Sequence, residues 1–310
     1  MKSSLLISLC LVFLCSCQEL PIEEYAVIPQ PAEIAYTSGF VKLKSQPVVA
    51  YPLELANEAQ LLQSYLSSDF SVGAVLNEGG GKADITLQLD PTVLPDKKEG
   101  YVLDAISGKV MIKANSPAGI LNGVQTLRQV IKEKDGKLMV QKAIVTDYPA
   151  FSWRAFMLDE GRYFKGKEVV KQLLDEMADL KMNVFHWHLT DDQGWRIEIK
   201  KYPKLTGIGS KREKTLVDYY YVNYPQVFDG KEHGGYYTQE QIKDVVAYAA
   251  SKYINVVPEI EMPGHALAAL AAYPELSCDS TQTYKVSPTW GVFEQVFCPS
   301  ETTFKFFEGV

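Results

Sequence analysis

A basic surplus is the first thing this sequence lacks. Its 310 residues hold 31 Lys and Arg against 38 Asp and Glu, a formal net charge of −7. With no excess of cations to displace counterions, nucleic acid is excluded as the main partner. Cysteine is scarce: of 5 in the chain, Cys10, Cys15 and Cys17 fall within the first 17 residues, leaving Cys278 and Cys298. Beyond the amino terminus no apolar run approaches the ~20 residues of a membrane span. Gly79-Gly-Gly81 lacks the Lys-Ser/Thr that would follow in a phosphate loop, so it reads as a turn. Nothing in the composition asks for a cofactor, and none is expected.

What is present begins with a leader. Lys2 precedes an apolar run over residues 5–15, too short to span a bilayer and the right length for a signal peptide. The run closes on Leu14-Cys15-Ser16-Cys17, which resembles a bacterial lipobox. That resemblance implies cleavage before Cys17 and lipid on its sulfur; an ordinary secretory signal is the alternative. The expected product is an exported lipoprotein, periplasmic or held at the outer membrane or cell surface, touching the membrane only through Cys17. An even pair of cysteines in an exported chain predicts a Cys278–Cys298 disulfide, with two buried free thiols as the alternative. The bond would close a loop of about 20 residues, worth roughly 3 kcal/mol on chain-entropy grounds.

Residues 18–148 read as a small α+β domain. Strands are expected at 41–43, 48–51, 85–89, 101–105 and 109–113, with a hairpin turn at Ser107-Gly108. Helical spacing runs over 53–66 and 118–132, the second behind a Ser116-Pro117 start. Asp147-Tyr-Pro149 breaks the pattern and marks a boundary. From 149 to 310 the chain alternates: strand 153–159, helix 166–181, strand 184–189, a long irregular stretch from 202 to 237, a capping box at Thr238-Gln-Glu-Gln241, and strand 254–260. Strand, helix, strand in this order is the start of a (β/α)8 TIM barrel, whose site lies at the carboxyl ends of the strands. Three strands are legible where eight would be needed, so the barrel is expected to be partial and to fold poorly by itself.

Chemistry concentrates at those strand ends. Arg162 follows the first strand, and a planar guanidinium suits neighbouring hydroxyls. His186 and His188 are two apart and share a face of the second strand. Asp191 and Asp192 come next, compatible with an acid/base pair, a metal site or a solvated turn. Glu261 and His265 follow the third strand. His186-x-His188 on a barrel strand also admits a metal-dependent hydrolase, although the Thr-Asp-Asp-Gln-Gly-Trp run has no role in one.

The run His186-Trp-His-Leu-Thr-Asp-Asp-Gln-Gly-Trp-Arg196 resembles the signature of family 20 glycoside hydrolases, the β-N-acetylhexosaminidases. Asp159-Glu-Gly-Arg162, Pro258-Glu-Ile-Glu-Met-Pro-Gly-His265 and the helix at 119–129 resemble other family segments. The resemblance implies glycans bearing N-acetylhexosamine as partners, Arg162 as a sugar-binding residue, and no metal. It implies that Asp191, Glu261 and His265 support the catalytic groups, with Glu261 standing where the family often has aspartate. It further implies a Gly-Gly-Asp-Glu motif carrying the general acid and its partner aspartate. No such motif occurs here; Gly234-Gly235 is followed by Tyr236-Tyr237. The expectation is therefore an exo-β-N-acetylhexosaminidase cut short before its general acid, or else a lipid-anchored sugar-binding or inactive fragment. Mass spectrometry of the exported protein should show Cys17 as a diacylated or triacylated amino terminus, and an unmodified Cys17 would overturn the lipobox reading.

Overall fold

The computed structural model describes residues 22–217 and 225–310; the leader and Cys17 lie outside the described residues. No described helix is long and apolar enough to cross a membrane. The chain forms two compact units. One takes the described residues up to Gln88 with Val102–Lys113 and Leu127–Asp147; the other takes Leu89–Tyr101, Ala114–Thr126 and Tyr148–Val310.

The amino-terminal part is built on a mixed sheet. Its strands are β1 (Glu33–Lys42), β2 (Val48–Tyr51), β3 (Val75–Glu78), β4 (Ile85–Leu89), β5 (Tyr101–Asp104), β6 (Val110–Ala114), β7 (Ile131–Lys134) and β8 (Lys137–Asp147). They run in the order β1-β8-β5-β6-β4-β2-β3, with β7 paired to β8. Burial alternates along β5 and β6, as the two-residue strand period demands. β2 and β3 are parallel, which requires a crossover; α1 (Ala56–Phe70) supplies it and buries Leu62 and Leu66. α1 outruns the expected helix and stops where Ser71 turns left-handed at φ 56°. The short strand expected at 41–43 is the end of the longer β1, whose register slips between Tyr36 and Phe40 and so breaks the alternation. α2 (Pro117–Val130) is capped as expected, the Ser116 hydroxyl accepting from Gly119 N at 3.2 Å.

The second unit opens with β9 (Ala155–Asp159), α3 (Lys167–Asp179), β10 (Val184–His188) and a two-rung hairpin of β11 (Thr190–Asp191) and β12 (Gly194–Trp195). α4 (Lys204–Gly207) and the ladder of β13 (Lys211–Arg212) with β14 (His233–Gly234) give the long irregular stretch its structure. Then come α5 (Gln239–Ala250), β15 (Asn255–Glu259), α6 (Leu267–Ala272) and α7 (Glu301–Phe307). α5 begins on the expected capping box, Thr238 with Gln241. Cys278 and Cys298 are joined, 20 residues apart.

β9, β10 and β15 form a parallel sheet with β10 in the middle. The fold class is the expected one: a small α+β domain ahead of a (β/α)-barrel sheet, of which three strands are described. Phe185, Trp187 and Leu189 turn outward against Val170, Leu174 and Met177 of α3 and Val245 and Ala249 of α5. His186 and His188 therefore turn to the opposite face, where Asp159 and Glu259 stand in register with His188.

Just past β9, Glu160 joins the packed side. Fully buried, it accepts hydrogen bonds from Trp187 Nε1 (2.7 Å), the Tyr237 hydroxyl (2.6 Å) and the backbone N–H groups of Lys165 and Gly166. Glu160→Ala would strand several buried donors at about 1–3 kcal/mol each, so this unit should lose at least roughly 3 kcal/mol of stability. Urea denaturation followed by tryptophan fluorescence measures it; a loss below about 1 kcal/mol would show that these donors find other acceptors.

Candidate active site

The centre of the polar face is Asp191, whose side chain has no exposed surface. Around its carboxylate stand three bases. Arg162 Nη2 lies 3.0 Å from Oδ2, His265 Nδ1 3.1 Å from Oδ1, and His188 Nε2 3.5 Å from Oδ2. The backbone N–H of Asp192 also donates to Oδ1, at 2.6 Å. The aspartate is placed by the β11–β12 hairpin, which follows β10 at once and buries both Asp191 and Asp192, so the solvated turn that the sequence left open is not what forms.

Asp159, at the end of β9, holds two of these bases from the other side. Arg162 donates to it twice, through Nη1 (2.7 Å) and its own backbone N–H (3.0 Å), and His188 Nδ1 lies 3.2 Å away. Burial opposes ionisation of Asp159, but the hydrogen bonds from His188 and Arg162 prevail and hold its pKa well below the carboxylate range. Burial likewise opposes the charge on His188, and the Asp159 hydrogen bond with nearby carboxylates raises its pKa. Arg162 is nevertheless not enclosed: its side chain is 39% exposed.

Asp192 ties the neighbouring loops. Its Oδ2 is 3.0 Å from His265 Nδ1, its Oδ1 accepts from Leu267 N at 3.1 Å, and its backbone carbonyl accepts from Ser287 N at 2.9 Å. Burial and then the Asp191 charge raise its pKa against the bonds from Leu267 and His265. His265 adopts a left-handed φ of 49°, an uncommon conformation for a residue other than glycine. Glu261 is fixed through its backbone N–H, which donates to Thr190 Oγ1 at 2.9 Å, and its Oε1 lies 3.5 Å from His188 Nε2. Its pKa is raised by burial and by the adjacent Glu259 charge. All four sequence-derived candidates, Arg162, Asp191, Glu261 and His265, thus meet in one cluster.

Two triads place donor atoms within 4.8 Å of one another in the manner of a metal site: His188, Asp191 and Glu261, and Asp191, Asp192 and His265. A cation in the first would have to share Asp191 Oδ2 with the Arg162 guanidinium, a like charge at contact distance. The donors of that first triad fit the guanidinium they already face better than a metal.

Beneath the cluster, Arg196 is fully buried, and its five N–H donors are directed at five backbone carbonyls: Glu160, Gly161, Gln193, Ser210 and Gly235. Burial and neighbouring Arg212 bring its pKa down to about 9, so it stays charged at neutral pH. A Cβ at residue 194 would overlap that guanidinium, which explains Gly194 in the hairpin.

Residues 151–310 match the catalytic domain of glycosyl hydrolase family 20, and residues 24–148 match domain 2 of the same family. The chain belongs to glycosyl hydrolase family 20. Among family relatives, a beta-hexosaminidase of Porphyromonas gingivalis is 38% identical over 320 residues, 97% of this chain and 39% of that protein. A beta-hexosaminidase of Vibrio furnissii is 42% identical over 197 residues, 63% of this chain and 31% of the relative. The Streptomyces plicatus N-acetyl-beta-hexosaminidase in complex with Thio-NAglucal superposes with a TM-score of 0.80 at 32% identity, over 94% of this chain and 57% of that one. The chain therefore spans well under half the length of the curated relatives named here.

Several cluster members escaped the sequence reading. His188 was read only with His186, as a pair that could hold a metal, and not as a partner of Asp159 and Asp191; Glu259, two before Glu261, carried no mark of function. His186 Nε2 in fact contacts Glu259 Oε2 at 2.6 Å. Asp159 fitted the Arg162 pattern without showing that it also supports His188. The electrostatics give a direct test. The Asp159–His188 ion pair is complete between the ordinary carboxylate and imidazole ranges. It is lost as pH falls through the lowered Asp159 pKa, and as pH rises through the raised His188 pKa. In an NMR titration His188 should show a midpoint above the ordinary value of about 6.5, and Asp159→Asn should bring it down. A midpoint at or below about 6.5 in the unsubstituted chain would refute the arrangement.

Proposed function

We propose that this chain supplies the sugar-recognition half of an exo-acting β-N-acetylhexosaminidase that removes terminal N-acetylhexosamine from glycans. The observation that carries the reading is Arg162, braced by Asp159 and Asp191 at a barrel strand end with its side chain still 39% exposed. A guanidinium fixed on both sides loses little freedom when it takes up sugar hydroxyls. Membership in family 20 and the similarity to beta-hexosaminidases support the same substrate class.

In this reading Arg162 binds hydroxyls of the terminal sugar, while Asp191, Glu261 and His265 are positioning residues. The family's reaction is substrate-assisted: the 2-acetamido oxygen attacks the anomeric carbon as a carboxylic acid protonates the leaving oxygen. Water then opens the cyclic intermediate with retention. Within the 310 residues no Gly-Gly-Asp-Glu provides that acid and the aspartate that steadies the acetamido group. We place both outside this stretch, and we place the protein in the exported, lipid-anchored class on the strength of the leader and Cys17.

Two measurements on the purified chain test the proposal. Hydrolysis of p-nitrophenyl GlcNAc should run at least about 100-fold slower than by a full-length relative, since general acid catalysis commonly supplies 10²–10⁴-fold. Turnover near that of the relative would mean the acid lies among these residues after all. GlcNAc should nevertheless bind, and Arg162→Ala should weaken binding by about tenfold or more (~1.4 kcal/mol). A change under about threefold (~0.6 kcal/mol) would remove Arg162 from the sugar site.

A further inference from the structure

The chain is acidic overall, yet one cavity of about 440 Å³ in the second unit is lined by four cations, Lys211, Arg212, Lys214 and Lys285, against the single acid Glu213. Its volume falls in the range of small-ligand pockets, about 300–1,000 Å³. Several basic side chains elsewhere in the unit are paired with acids: Arg154 with Glu99, Lys167 and Lys171 with Asp244, Lys252 with Asp175. Among the described residues, no carboxylate comes within 4.0 Å of a cationic nitrogen in any of the four cavity residues.

Arg212 is the most telling of them. It is only 3% exposed; Nε donates to Thr215 Oγ1 at 3.0 Å and Nη1 to the Gln193 carbonyl at 3.1 Å, while Nη2 has no partner. The Tyr163 and Trp290 rings lie 5.7 and 5.8 Å from its Cζ, and aromatic faces stabilise a cation without neutralising it. Burial lowers its pKa to about 10 against the attraction of Asp229, which makes no ion pair with it, so the charge stays in place. Ile208, Ala271 and Val286 give the same cavity a hydrocarbon wall. A bare inorganic anion has no use for such a wall, whereas the C–H face of a sugar ring does.

We propose that this cavity is a second saccharide site, separate from the Arg162 cluster, which takes a sugar bearing a sulfate ester or a carboxylate. The choice of a saccharide rests on the hexosaminidase reading; the preference for negative charge does not. Lys214 and Lys285 reach the anionic group from the rim; Lys214 Nζ, now 4.0 Å from the centroid of the Phe228 ring, turns from that ring to do so. Arg212 adds a fixed positive charge below them, and the attraction weakens with salt because the rim is exposed.

Isothermal titration of the purified chain with four probes tests this: glucose 6-sulfate, glucuronic acid, glucose and inorganic sulfate at matched ionic strength. At least one charged sugar should bind about tenfold or more tightly than both glucose and inorganic sulfate. Which of the two is tighter distinguishes a sulfate ester from a carboxylate. The Lys214→Ala/Lys285→Ala variant, altered only at exposed positions, should lose that preference while its affinity for GlcNAc is unchanged. Charged sugars no tighter than glucose, inorganic sulfate as tight as the sugars, or a double variant without effect would each overturn the proposal. Loss of GlcNAc binding with charged-sugar binding intact would overturn the Arg162 reading alone.

Discussion

The carboxylate of Asp191 has been taken out of water, and the rest of the site is organised by that fact. A buried charge is tolerated only where partners replace its hydration. Here the partners are a guanidinium and two imidazoles, each drawn from a different segment: Arg162 after β9, His188 at the end of β10, His265 after β15. The carboxylates nevertheless outnumber the bases, since Asp159, Asp192, Glu259 and Glu261 crowd the same face. The field therefore cannot satisfy all of them at once. Asp159, with the best donors, is driven down, while Asp192 and Glu261 are driven up. Burial and the choice of hydrogen-bond donors together give neighbouring acids different proton affinities.

The scaffold reaches this arrangement through register. Parallel strands in step place His188 beside Asp159 on one side and Glu259 on the other. A shift of one residue would send the histidine into the apolar layer among α3 and α5 and bring Trp187 into the polar face. That layer is consistent only one way round, because Phe185, Trp187 and Leu189 have no other place to be buried. Packing on the outside thus specifies chemistry on the inside.

How much of this was legible depended on range. Local signals survived intact: the capping box at Thr238, the cap at Ser116, the two-residue spacing of His186 and His188, and the strand–helix alternation from residue 149. Motif resemblance brought Arg162, Asp191, Glu261 and His265 forward, and the structure brings them together. What could not be read was partnership across the chain. Nothing in the spacing links Glu160 to Tyr237, or Arg196 to Ser210 and Gly235, since those contacts exist only once distant loops have folded over one another. The hairpin at Asp191 was missed for a related reason. Two rungs of ladder are too short to leave a periodic trace, and its tightness comes from a glycine that makes room for an arginine.

Arg196 recognises loops by their main chain alone. Its contacts at residues 193 and 210 are to peptide oxygens, so they are indifferent to which side chain those positions carry. Loops anchored in this way can drift in sequence without losing their course, provided the chain path is kept. A lysine in its place, a compact ammonium with three donors and no planar fork, could not keep all five carbonyls in place. The arginine thereby divides the labour of the region: it conserves shape, and leaves residues around it at liberty to vary what that shape recognises.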